Sequence, residues 1–244
     1  MESDKTDDPR RRLLINALAA GAFSALPGSA ALAEGLFGTV PTKMKAGRSI
    51  FRIVGKATVN GKEATLDTPI GPNDVIATGK DSEIVFVVGG HAMILRANGL
   101  LDLKGEKKEE TGSFFLSGLR MLTGKLLSVS RNQPMSVRTS TATIGIRGTG
   151  LYIEADPELT YFCTCYGTTD VASTDDPSST DTVVATHHDK PLYITSKGSS
   201  GKNIQRAGFK SHSDQELMLI ETLVGRSPPF VFPGTSYDAP RKSY

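Results

Sequence analysis

Val137-Arg138-Thr139-Ser140-Thr141-Ala142-Thr143-Ile144-Gly145-Ile146-Arg147-Gly148-Thr149-Gly150-Leu151-Tyr152-Ile153 joins two runs of β-branched and apolar residues through a corner built on paired glycines. Thr, Ile, Val and Tyr suit the pleated, half-buried surface of a strand, and glycine inside such a run marks a bend or a close approach of another backbone. The corner also invites a phosphate-loop reading, because glycine-rich turns present N–H groups to anions. It lacks the Gly-Lys-Ser/Thr ending and the following helix that a nucleotide loop needs. Arg147, Gly148, Thr149 and Gly150 are therefore read as a structural corner.

Working outward, turn signals recur at short intervals. Ser49 to Leu66 reads as two alternating strands joined by Asn60-Gly61, the dipeptide that tolerates the two positive φ angles of a type I′ hairpin. Short strands follow at Asp74 to Ala77, Glu83 to Val88, His91 to Leu95 and Leu100 to Leu103, separated by Gly79-Lys80-Asp81, Gly89-Gly90 and Asn98-Gly99. In Phe114 to Ser130 the three-residue spacing of Leu116, Leu119 and Leu122 suits a helix, whereas Leu126 and Val129 suit a strand, which is expected from Met121 onward. Tyr161 to Tyr166 and Thr182 to Thr186 are further strands, with the polar Ser173 to Asp181 as a loop. One helix is expected at Asp214 to Val224: Ser213 caps it, Glu216 completes the capping box, Leu217, Ile220 and Val224 share a face, and Gly225 ends it. The fold class that follows is all-β, a sandwich or roll of short antiparallel strands with one short C-terminal helix.

The corner, preceded upstream by Asp74-Val75-Ile76-Ala77-Thr78-Gly79-Lys80-Asp81-Ser82, resembles the FecR domain, in which an Asp-x-Ile-x-Thr-Gly-x-x-Ser segment precedes a Thr-rich strand and an Arg-Gly-Thr corner. The resemblance covers residues 50 to 155. It implies a sensor or binding module of the periplasm or cell envelope with a protein partner there, and no catalysis. FecR relays carry a cytoplasmic segment that controls a sigma factor. Twelve residues precede Leu13 here, too few for an independently folded domain, which puts direct sigma-factor control in doubt and leaves a separate signalling partner or a pure envelope-binding role open.

The N-terminus reads as a cleavable export signal. Pro9-Arg10-Arg11-Arg12-Leu13-Leu14 leads into a mildly apolar run ending near Leu26, and Ala31-Leu32-Ala33 forms a small-residue cleavage site. The adjacent arginines and diluted apolar core resemble the twin-arginine class. The run falls short of the ~20 residues needed to span a bilayer, so no membrane span is expected after cleavage. The expected organisation is residues 1–33 signal, 34–48 linker, 49–155 FecR-like β domain, 156–232 an extension packed on it, and 233–244 a disordered tail, with a periplasmic location. Residues 1–33 carry four acids and four bases, so their removal leaves the net charge of +2 unchanged. Lys104 to Glu110 alternates in sign and reads as a solvated loop; no clustered basic face points to nucleic acid.

The chain's two cysteines, Cys163 and Cys165, are alternate residues of an expected strand and so project from one face. Their Cα atoms would stand about 6.5 Å apart, near the upper limit for a disulfide. Three readings stand: a metal site for zinc or copper with His187 or His188 as further ligands, a strained redox-active disulfide, and structural thiols. Consecutive histidines on a strand face opposite ways, so both reach one site only if Thr186 to Asp189 is a loop. Asp189 can orient His188 as a base for a cysteine, but nothing supplies an oxyanion site, and no Gly-x-Ser-x-Gly elbow occurs. His212 is read as an ordinary residue near a helix start, and His91 as a solvated hairpin residue. Beyond the envelope sensor, the alternatives are a metal or thiol-redox protein using Cys163 and Cys165, and a scaffold that binds envelope polymers or proteins.

Overall fold

A computed structural model describes residues 42–107, 114–131, 134–196, 198 and 201–230. The expected signal segment and the tail 233–244 lie outside the described residues. The described chain is mostly β. Its strands are β1 (Ile50–Val54), β2 (Ala57–Val59), β3 (Lys62–Glu63), β4 (Val75–Thr78), β5 (Glu83–Val88), β6 (His91–Leu95), β7 (Leu100–Lys107), β8 (Phe114–Val129), β9 (Pro134–Arg138), β10 (Ala142–Ala155), β11 (Leu159–Ser173), β12 (Thr180–Ala185), β13 (Leu192–Thr195) and β14 (Ile204–Arg206). A single α-helix follows among the described residues, α1 (Asp214–Leu223). Among the described residues no helix is long and apolar enough to cross a membrane.

One sheet links all the strands, running β14-β13-β11-β10-β9-β8-β7-β4-β2-β3, with β5 and β6 joined through β8 and with β12 beside β11. Pairing is antiparallel throughout except between β8 and β9. The Asn60-Gly61 hairpin forms with positive φ at both residues. The strands that organise the sheet are longer than the sequence suggests: 16 residues in β8, 14 in β10 and 15 in β11. Strand β8 begins at Phe114 rather than Met121. Its helix-like leucine spacing is overridden because it pairs with β7 along that strand's whole length, from Leu100↔Thr123 to Lys107↔Phe114. That pairing also places Lys104 to Lys107 in a strand, where a solvated loop was expected.

The 137–153 stretch explains how two sub-sheets become one. The first half of β10 pairs with β9, and its second half pairs with β8. The register with β11 shifts between Arg147 and Gly150. Gly148 takes φ +61 and faces Gly167 at φ +93, where a Cβ would stand 2.7 Å from the Gly148 carbonyl oxygen. Gly150 lies under the Tyr166 ring. The corner is a bulge that turns one pair of long strands from one partner set to another.

Alternation along these strands builds two cores. Leu151, Ile153 and Phe162 face a core inside the sheet, whereas Tyr152, Tyr161, Cys163, Cys165 and Tyr166 face a second core capped by Leu217, Ile220 and Leu223 of α1. The helix starts with a complete capping box between Ser213 and Glu216. His91, expected to be solvated, is 2% exposed. It opens β6 on the same face as Met93 and Leu95, which carry it into the inner core.

Candidate metal centre

Strand β11 supplies the first two groups. Cys163 and Cys165 are free thiols, both fully buried beneath the segment that leads into α1. The third comes from the turn after β12, where Asp189 Oδ2 accepts hydrogen bonds from the Thr186 and His187 amides at 2.6 and 3.1 Å and from the Thr186 hydroxyl at 2.8 Å. Thus Asp189 shapes the turn, and the carboxylate that faces the His188 ring is that of Asp214. The turn is pinned to β11 by the His188 amide, which donates to the Cys165 carbonyl at 2.9 Å. The fourth group, His212, precedes the Ser213 cap of α1.

The side chains converge. His188 Nδ1 lies 3.5 Å from Cys163 Sγ, His212 Nε2 lies 3.4 Å from Cys165 Sγ, and the two nitrogens are 3.1 Å apart. All four ligand atoms fall within 4.8 Å of one another. Metal bonds of ~2.3 Å to sulfur and ~2.05 Å to nitrogen in a tetrahedron require edges of roughly 3.3 to 3.8 Å, so the separations of 3.1, 3.4 and 3.5 Å lie close to those of a Cys₂His₂ set, which small shifts would close on one ion.

The far side of each imidazole is engaged as a ligating histidine requires. His188 Nε2 faces Asp214 Oδ1 at 2.8 Å, and His212 Nδ1 faces the Lys210 carbonyl oxygen at 2.8 Å. A carbonyl only accepts, so neutral His212 carries its proton on Nδ1 and turns the Nε2 lone pair inward. Asp214 fixes the same choice in neutral His188, whose Nδ1 lone pair then points at the other. Two lone pairs at 3.1 Å beside two sulfurs accept either a proton, from a thiol or shared between the rings, or a metal ion.

In the metal-free chain the buried groups shift one another's proton affinities. Burial works against a charged His188, but Asp214 and Cys163 outweigh it and push the imidazole up to about 9. Burial raises the Cys163 thiol, yet hydrogen bonds from Cys165, His188 and His212 hold it well below the ordinary thiol range. Burial and the neighbouring Cys163 push Cys165 well up, and burial lowers His212. The pocket thus favours a thiolate at Cys163 beside a charged His188 and keeps Cys165 as a thiol.

Both histidine-bearing turns use left-handed backbone at a non-glycine residue, φ 55° at His188 and φ 65° at Ser211. Such conformations hold only where the surroundings over-determine them, and they gather at functional sites. The surroundings here are specific. His212 stacks on Tyr152 at 4.4 Å and 18°. Lys210 sits 4.6 Å over the Tyr161 ring and 2.6 Å from Glu154, and Arg96 bonds the Ser211 carbonyl and, at 2.6 Å, Glu216.

Of the residues expected as ligands, Cys163, Cys165 and His188 come together. His187 does not join the thiols; its Nε2 reaches Asp214 Oδ2 at 2.7 Å. Both histidines meet Asp214 because Thr186 to Asp189 is a turn, not strand. His212, read from the sequence as an ordinary helix-start residue, is the fourth member. Its sequence signal was only its place beside Ser213 and Asp214, since the contact spans 47 residues to Cys165. Arg147 is not a member of this cluster: it forms an ion pair with Asp170 beside an open cleft lined by Met135, Ser136 and Ile146.

No protein-family model and no curated protein matches the chain. Two crystal structures of a protein named, provisionally, as an anti-sigma factor from Parabacteroides distasonis ATCC 8503 are similar to it at 14% identity, with TM-scores of 0.43 and 0.41. Each alignment covers 68% of this chain and 83% of that one. The metal reading rests on the site itself.

Proposed function

We propose that the protein is an exported, non-catalytic binding module of FecR type in the cell envelope, and that Cys163, Cys165, His188 and His212 hold one zinc ion. The observation that carries the metal reading is the convergence of two thiols and two inward lone pairs, each imidazole oriented from behind by an acceptor. Two sulfurs and two nitrogens in a tetrahedron suit zinc. A closed set of four protein ligands is the arrangement of a structural or sensing ion, because a catalytic zinc keeps a position open for water or substrate. Free neighbouring thiols also suit an oxidising compartment better when a metal engages them.

The export part of the reading rests on the Arg10-Arg11-Arg12 signal and the FecR resemblance. A signalling role would follow from a metal that fastens β11, the β12 turn and the α1 lead-in together. Cys163, His188 and Asp214 also have the order of a nucleophile, base and orienting carboxylate. With both cysteines fully buried, that order has no substrate approach.

Cobalt substitution tests the metal reading. The metal-free full chain titrated with Co²⁺ should develop tetrahedral d–d bands with thiolate charge transfer, ending at one equivalent. Cys163→Ser and His212→Ala should abolish the bands, and Asp189→Asn should leave them. Absence of thiolate charge transfer in folded wild type would refute it. Cell fractionation of the chain with Arg11 and Arg12 replaced by lysine tests export: the account expects retention in the cytoplasm.

A further inference from the structure

The closed site has no exposed ligand: Cys163 and Cys165 are 0% exposed, His188 1% and His212 5%. An ion must therefore reach it past some other group. Beside it stands a second convergence of donors, His187 Nε2, the Asp214 carboxylate and His188, also within 4.8 Å of one another. His187 is the member that meets solvent, with 21% of its side chain exposed. Asp214 is buried but spans the gap, one oxygen 2.7 Å from His187 and the other 2.8 Å from His188. His188 borders both groups, turning Nε2 outward to Asp214 and Nδ1 inward to Cys163.

We infer that His187 and Asp214 form an outer capture site through which a divalent metal ion enters and leaves the closed site, with His188 as the shared border. This inference rests on the zinc reading of the four inner ligands. The outer donors are an imidazole and a carboxylate, which accept a hydrated divalent ion more readily than buried thiols do. The inner donors then replace them, and Asp214 returns to His188, where it holds the imidazole in its ligating tautomer. Asp214 thus has two tasks, transit and positioning, whereas His187 has only the first. The order of exposure, from His187 through Asp214 to the buried thiols, gives the direction of loading.

The two residues separate kinetically. A group used only in transit lowers the barrier for entering and leaving alike, so its removal slows both rates and spares the equilibrium. Stopped-flow uptake of Zn²⁺ by the metal-free full chain, with release measured into excess chelator, reads both. His187→Ala should slow uptake and release by about tenfold or more and leave the dissociation constant unchanged. Asp214→Asn should slow uptake and also weaken affinity by about 10- to 100-fold. Thermal unfolding of each metal-free variant checks that the fold is kept, and His187→Gln repeats the test should the alanine variant unfold. Unchanged rates in folded His187→Ala, or a weakened affinity at an unchanged uptake rate, would overturn the capture site while leaving the inner site standing. A wild type that takes up no Zn²⁺ would overturn the inner site and the inference with it, a distinct failure.

Discussion

One methyl group at Gly150 tests the corner that joins the sub-sheets. A Cβ there would stand 2.7 Å from Tyr166 Cζ and 3.0 Å from Cδ1, and closer still to the ring carbon between them. Carbon atoms prefer ~3.5–4.0 Å, so the ring must retreat by about 1 Å. It has nowhere to go. Tyr166 is 2% exposed, and its hydroxyl donates to the fully buried Glu221, which also pairs with Arg131 at 2.9 Å and Arg226 at 2.7 Å. Overpacking costs about 1–3 kcal/mol, and straining a hydrogen bond to a charged acceptor adds about 1.5–3 kcal/mol. Gly150→Ala should therefore lose about 2.5–6 kcal/mol, read by urea unfolding. Removing the ring removes the clash, so Gly150→Ala combined with Tyr166→Ala should cost less than the sum of the single variants by about 1–3 kcal/mol. A loss below about 1 kcal/mol in the single variant, or strict additivity in the pair, would refute the packing argument.

Ile220→Ala should destabilise by about 2–5 kcal/mol, because its side chain is fully buried between α1 and the outer face of the sheet; chemical denaturation reads the loss. Ser213→Ala breaks the capping box and should cost about 0.5–2 kcal/mol by the same assay, with Ser213→Asn recovering most of it. Stripping the metal from the loaded chain removes the binding free energy from the folded state. At free metal a thousandfold above the dissociation constant that is about 4 kcal/mol, or roughly 8–16 °C in Tm for a domain of this size, and His212→Ala should show no such chelator-dependent shift in calorimetry.

The all-β class and the helix were legible because their signals are local. Asn60-Gly61 supplies its own turn, and Ser213 with Glu216 supplies its own cap. The shared face of Cys163 and Cys165 was legible for the same reason, being a consequence of period two. The extent of β8 was not, since Leu116, Leu119 and Leu122 alone favour a helix and only the distant β7 makes them a strand. His212 and Asp214 were hidden likewise. Their partners lie 24 and 26 residues away at His188 and are brought close by the packing of α1 on β11. Between His187 and His188 the sequence had no means of choosing, because the choice is made by a turn that Asp189 shapes.

The central claim is a single metal ion held by Cys163, Cys165, His188 and His212, and its most direct test is elemental analysis by mass spectrometry. The full chain would be purified under native conditions without chelators, beside Cys163→Ser, Cys165→Ser and His212→Ala. The account predicts zinc at about one ion per chain, lost in all three variants. A folded wild type that carries no metal and takes up none on titration would contradict it.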